Sequence, residues 1–362
     1  CYNQVERTES NKSKIITNTK IIADLGNDEA MLEYAIAMRL RNEILESNTY
    51  YLKSINKGNN HAMCRFYVES CTYKYFEMAI NHGNIDAIKQ RANYLRKEKD
   101  DDKKREAIKY YKIAIERGDP MSMKHYASML RKGEGIPVNK QKAVFYYKSA
   151  IEKGVGEAMY EYARMLETGE LGEPDYDEAI RLYKMGIEKG NKESMNNYGV
   201  MLHLGRGIPV NIPEAIKYYK MGIQKGNRDS MNNYAVLFFK GEGVPVNKPE
   251  AAKYFKMAAD KGHLSAMETY ASMCSDGDGI PVNKNIAIEY YKKAINIGST
   301  NAMYNYAFIL FNGDGIEANK TEAIKYFKMA ADKGNISSIF EYALILGNGD
   351  GIDCDKVEAA RY

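Results

Sequence analysis

A glycine recurs every 36 residues along most of this chain, at Gly118, Gly154, Gly190, Gly226, Gly262, Gly298 and Gly334. Self-similarity at a fixed period of this size is the mark of a repeat architecture, in which each unit buries its apolar face only by stacking on its neighbours. With that glycine counted as position 0, position 8 is tyrosine in every unit, from Tyr126 to Tyr342, and position 25 is alanine, from Ala143 to Ala359. Position 5 is methionine from Met123 to Met303 and becomes Ile339 in the last unit.

Within each unit a second glycine motif raises a question of chemistry. Residues 240–247 read KGEGVPVN, and matching pairs occur at Gly133/Gly135, Gly205/Gly207, Gly277/Gly279, Gly313/Gly315 and Gly349/Gly351. The unit from 154 departs, with Gly169, Leu171 and Gly172. A loop that cradles phosphate lies between a strand and a helix and occurs once per site. These pairs follow a helical pattern and repeat, which predicts helix stops closed by a left-handed residue. Downstream, Asn211, Asn247 and Asn319 each precede a glutamate by three residues, as do Asp175 and Asp355. That spacing predicts an N-cap whose glutamate reaches back to complete a capping box, with Pro213 and Pro249 in the first turn. Each unit therefore reads as helix A (positions 1–14), a seven-residue turn and helix B (positions 22–35).

Positions 5, 8, 9 and 12 of helix A are apolar or small at helical spacing, as are positions 25, 29 and 32 of helix B. They predict the buried stripes, where each large side chain contributes about 1.5–3 kcal/mol by area. The methionines and tyrosines are core residues on this reading, in one continuous array. The lysines at position 30 (Lys148, Lys184, Lys220 and Lys256) read as a solvated helix face.

The unit G-x-x-x-A-M-x-x-Y-A-x-M-L-x-x-G-x-G-I-P-V-N-x-x-E-A-x-K-Y-Y-K-x-A resembles the Sel-1-like repeat, a relative of the tetratricopeptide repeat. Tyrosine-alanine stands where that family usually has leucine-glycine. The resemblance implies an all-α protein, an α-solenoid of antiparallel helix pairs wound as a right-handed superhelix of about nine to ten units. It is strong over 118–362, where the last unit stops within helix B, and weaker over 26–117, where KEKDDDKK (97–104) replaces a glycine turn. Between Gly58 and Gly83 the spacing shrinks to 25, predicting a unit that has lost its turn or part of a helix. Residues 1–25 read as a leader ending in a helix around 14–23. The chain starts at Cys1 and stops at Tyr362 with no polar cap at either end, so an excerpt of a longer protein is expected.

Other function classes find little support. A net charge of +4 over 362 residues favours neither nucleic acid nor a membrane surface, and no apolar run is long enough to span a bilayer. Five unpatterned cysteines suit a reducing compartment such as the cytoplasm better than a disulfide framework. His61, His82, His125, His203 and His263 are scattered, and the NGDG and DGDG stretches place glycine wrongly for a calcium loop. No metal, cofactor or catalytic residue is therefore expected.

Positions 6, 10 and 13 of helix A share a face and vary between units. In tetratricopeptide arrays the corresponding positions line the concave surface, so the resemblance implies a groove for a peptide or partner protein. Its candidate residues are Lys124, Arg131, Tyr160, Arg164, His203, Phe239, Tyr304, Phe308, Phe311, Phe340 and Leu344. The competing expectation is that they pack on the next unit. An interaction scaffold or adaptor is the function implied; the rival is a regulatory repeat region of a larger signalling enzyme such as a protein kinase.

Overall fold

The computed structural model describes residues 14–59, 62 and 73–362, and all regular structure among them is helical. The shortened unit expected between Gly58 and Gly83 falls largely outside the described residues, as do the first thirteen residues and His61. The chain divides into two compact units, one up to Ala158 and one from Met159.

In the first unit, helix 14–24 precedes the pair Asp28–Leu40 and Ile44–Asn56. Only three residues link that pair, and Asn42 (φ 65°) takes the left-handed conformation that glycine supplies elsewhere. The pair Ile85–Lys97 and Asp101–Glu116 likewise lacks the glycine turn: Asp100 caps the second helix through the amide of Asp102. The regular pattern begins with Pro120–Lys132 and Lys140–Glu152.

The second unit repeats that pattern, with helices A at Lys192–Leu204, Arg228–Lys240, Leu264–Asp276, Thr300–Asn312 and Ile336–Asn348. Their partners are helices B at Ile212–Gln224, Lys248–Asp260, Lys284–Asn296, Lys320–Asp332 and Lys356–Arg361. The predicted boundaries hold to within about one residue because the caps that set them are local. Each of these helices A ends on a glycine with φ between 69° and 75°. Asn211, Asn247 and Asn319 accept the amides of Glu214, Glu250 and Glu322, as the spacing predicts.

The reciprocal half of the capping box does not form. The N-cap N–H groups of Asn211, Asn247 and Asn319 go instead to the carbonyls of Leu202, Phe238 and Leu310, each at 2.8 Å. Those carbonyls are orphan acceptors in the last turn of helix A, brought close by the chain reversal, and they outcompete the glutamates. Glu214 and Glu322 accept the asparagine side-chain amides instead. One N–H thereby joins the end of helix A to the start of helix B.

The second glycine of each pair answers to packing. A Cβ on Gly243 would lie 2.6 Å from Cγ1 of Ile212, and one on Gly207 would lie 2.2 Å from Cβ of Tyr176. The turn thus rests directly on the first residue of the preceding unit's helix B.

The core follows the predicted stripes and extends them to position 11, where Met201, Leu237 and Met273 are buried, and to position 4, where Ser194, Ser230 and Ala302 are buried. The position-8 tyrosine meets a tyrosine of helix B edge-on: Tyr198–Tyr218, Tyr234–Tyr254 and Tyr306–Tyr326 have centroids 4.7, 4.6 and 5.1 Å apart. The position-30 lysines are exposed, as expected for that face, and several also reach a ring of the next unit. Lys184, Lys220 and Lys292 lie 5.3, 5.8 and 5.1 Å from the ring centroids of Tyr198, Tyr234 and Tyr306 in the next unit. Helix B stacks on the following helix A, so the ammonium reaches the ring face, a contact worth about 0.5–1 kcal/mol when exposed.

Candidate partner-binding face

Each helix A carries positions 6, 10 and 13 on one side, and in several units position 6 or 13 meets the position-29 aromatic of its own helix B. The candidate residues divide by what they meet there. In the first unit, Lys124 is half-buried and Arg131 is only 7% exposed. Beside them Arg96 donates to Glu134 at 2.7 Å, to Ser128 Oγ at 2.8 Å and to Nδ1 of His125 at 3.2 Å. His125 stacks on Tyr111, and burial, helped by Lys124 and Arg96, lowers its pKa to about 3. Its neutral Nδ1 is thus an acceptor for the guanidinium.

In the second unit, Tyr160 packs against Tyr183 with centroids 6.3 Å apart, and burial raises the pKa of its hydroxyl. Arg164 lies beside it, with Nε enclosed and lacking a hydrogen-bond partner. His203 is held at both ring nitrogens, Nδ1 by the Tyr219 hydroxyl at 3.3 Å and Nε2 by Glu242 at 2.9 Å. Phe239 packs on Phe255, and Tyr304 and Phe311 both pack on Phe327. Phe308, Phe340 and Leu344 differ: they remain 48%, 61% and 43% exposed on the successive helices Thr300–Asn312 and Ile336–Asn348.

Sequence reasoning missed what lies between the two glycines of each turn. The residue there, position 16, is tied to the preceding unit. Arg96–Glu134, Glu167–Arg206 and His203–Glu242 make the tie from position 13 of helix A. Further along, lysines at the start of helix B make it: Lys248 to Asp278, Lys284 to Asp314 and Lys320 to Asp350. Lys248 and Lys320 also lie over the rings of Phe239 and Phe311. These aspartates of the DGDG and NGDG stretches are lysine partners, and no metal-holding cluster of three or more His, Cys, Asp or Glu occurs among the described residues. The constant 30-residue offset between lysine and aspartate was the available signal.

One unit interrupts the aromatic run. Helix Leu264–Asp276 carries Glu268, Ser272 and Ser275 at positions 6, 10 and 13. A cleft of about 460 Å³ opens there, between Phe239 on one side and Tyr304 on the other.

The Sel1 repeat family matches this chain at residues 97–119, 120–155, 156–191, 192–227, 228–263, 264–299 and 300–335. No match is found among curated proteins. The fold is similar to that of a Sel1 repeat protein from Oxalobacter formigenes, with 23% identity, a TM-score of 0.58 and coverage of 67% of this chain and 99% of that one. A protective antigen of uropathogenic Escherichia coli displaying an SLR fold is 20% identical, covering 95% and 85% of the two chains with a TM-score of 0.49. The human IFIT1 dimer with m7Gppp-AAAA is 11% identical, covering 92% and 86%, with a TM-score of 0.50, a likeness of fold alone. No helix among the described residues is long and apolar enough to cross a membrane. With seven consecutive repeats matched over more than half its length, and with the helix pairs, glycine turns and stacked cores that such repeats require, the chain belongs to the Sel1 repeat family.

Proposed function

We propose that this chain is a non-enzymatic scaffold or adaptor that holds an extended or helical segment of a partner protein on the helix-A face of its second unit. The observation that carries the reading is the exposure of Phe308, Phe340 and Leu344, while the other aromatics at equivalent positions are packed on helix B. Exposed aromatic side chains on neighbouring helices are the usual anchors of an interface, since they bury large areas at low entropy cost. Membership of a repeat family supports the non-enzymatic part. A nearly neutral net charge favours a protein over a nucleic acid, and the unpatterned cysteines favour a reducing, cytoplasmic setting. Arg131 is buried and Arg164 Nε is enclosed, so these guanidinium groups are poorly placed to touch a partner, and the apolar anchors carry the reading.

Selection of binding segments from a displayed library of random peptides tests this. Apolar or aromatic residues should recur in the selected segments. Phe308→Ala combined with Phe340→Ala should weaken their binding at least tenfold, with helicity and melting nearly unchanged. Phe311→Ala should instead lower stability, because that ring packs on Phe327. Equal binding by the double variant, or no selected segment, sinks the proposal.

A further inference from the structure

We propose that the cleft above helix Leu264–Asp276 is a subsite for a cationic side chain, arginine above lysine, of the partner segment; this rests on the partner-binding reading of the helix-A face. The cleft opens where Glu268 and Ser272 stand at positions that the helix Thr300–Asn312 fills with Tyr304 and Phe308. Phe239, whose ring also carries Lys248, and Tyr304 line it from the flanking helices, and Glu268, Ser272, Met273 and Asp276 line it from helix Leu264–Asp276.

Charge decides what fits. Glu268 accepts a hydrogen bond from the Ser299 hydroxyl, and Asp276 accepts one from the Ser272 hydroxyl at 3.0 Å. Both donors are neutral, so neither carboxylate is balanced by them. Asp278 at the rim is already paired with Lys248, and Lys284 is committed to Ser275 and Asp314. Glu268 and Asp276 are thus left over after the lysines of this region are assigned. An acidic side chain would be repelled, and an apolar one would strip water from two carboxylates without replacing it. A guanidinium meets all three demands: it donates to carboxylates in a planar fork, lies against an aromatic face, and carries the compensating charge. An ammonium meets only the last in full.

The test isolates the cleft from the apolar anchors by using N-acetyl-arginine amide as the probe. It is titrated into the full chain with labelled phenylalanine and tyrosine rings, and the neutral isostere N-acetyl-citrulline amide serves as the control. Saturable shifts at the Phe239 and Tyr304 rings with arginine, at least tenfold weaker with citrulline, are expected. Glu268→Gln with Asp276→Asn should reduce arginine affinity at least tenfold, and added salt should weaken the wild type more than the variant. Absence of saturable shifts, equal response to citrulline, or unchanged affinity in a folded double variant overturns the proposal. If that variant fails to fold, the arginine–citrulline comparison on the wild type decides alone. Failure here leaves the peptide selection with Phe308→Ala and Phe340→Ala untouched, so the two readings fall separately.

Discussion

His125 shows how much a single position can depend on its surroundings. Nothing in the repeat pattern distinguishes it from the other scattered histidines, yet burial and the neighbouring Lys124 and Arg96 hold its pKa near 3, far below the ordinary 6.5. The folded state therefore keeps the imidazole neutral, as an acceptor for Arg96, while the unfolded chain protonates it below about pH 6.5. Its contribution to stability is complete above that pH and is lost as pH falls from 6.5 towards 3. Hydrogen exchange in helix Pro120–Lys132, corrected for intrinsic rates, should show opening become easier by about 1.4 kcal/mol per pH unit below 6.5. His125→Asn should flatten that slope between pH 6.5 and 5. An unchanged slope would place the titrating group elsewhere.

At the scale of the element, the paired glycines close one helix and let the turn approach another. Both roles use positive φ and both need the missing Cβ, since one built on Gly241 would lie 2.7 Å from Val246 Cγ2; the glycine that opens each unit needs only the positive φ. Gly190 has φ 77° with open space around a built Cβ, whereas Gly243 has φ 70° with Ile212 Cγ1 at 2.6 Å. Asparagine tolerates the left-handed region, so Gly190→Asn should stay within about 1 kcal/mol of wild type. Gly243→Asn should cost more than that, on the order of 1–3 kcal/mol, because the contact is with an inner atom of a branched side chain. Denaturant melts of the two variants give the comparison, and equal losses would show that the close approach carries no energy. The same turns also illustrate the limit of local reading: the capping asparagines were visible in the sequence, but the destination of their own N–H groups was not, because the acceptors lie nine residues back on a different helix.

For the molecule, stability built from nearest-neighbour interfaces makes damage local. Tyr234 is buried and meets Tyr254 edge-on, with Lys220 of the preceding unit over its ring. Tyr234→Ala should cost about 3–5 kcal/mol where it sits. Amide protection should fall in helices Ile212–Gln224 through Lys248–Asp260 and persist in helices Asp28–Leu40 and Ile44–Asn56. Uniform loss of protection across the chain would contradict a quasi-linear array.

The sequence by itself determined the helix pairs, their boundaries and most of the core. Those depend on contacts within a few residues and on a 36-residue period repeated with little variation from Gly118 onward. Before Gly118 the period fails, and Asn42 and Asp100 do the work of the missing glycines in ways that no repeat pattern announces. Only the tertiary structure decided the sorting of the variable face. Phe308 and Phe311 lie three residues apart on one helix face, yet one is exposed and the other rests on helix B, because the Phe327 ring meets Phe311 and leaves Phe308 uncovered. The lysine–aspartate ties and the cleft at Glu268 have the same origin: each depends on which residues of neighbouring units are brought together, and stacking sets that, not spacing along one helix.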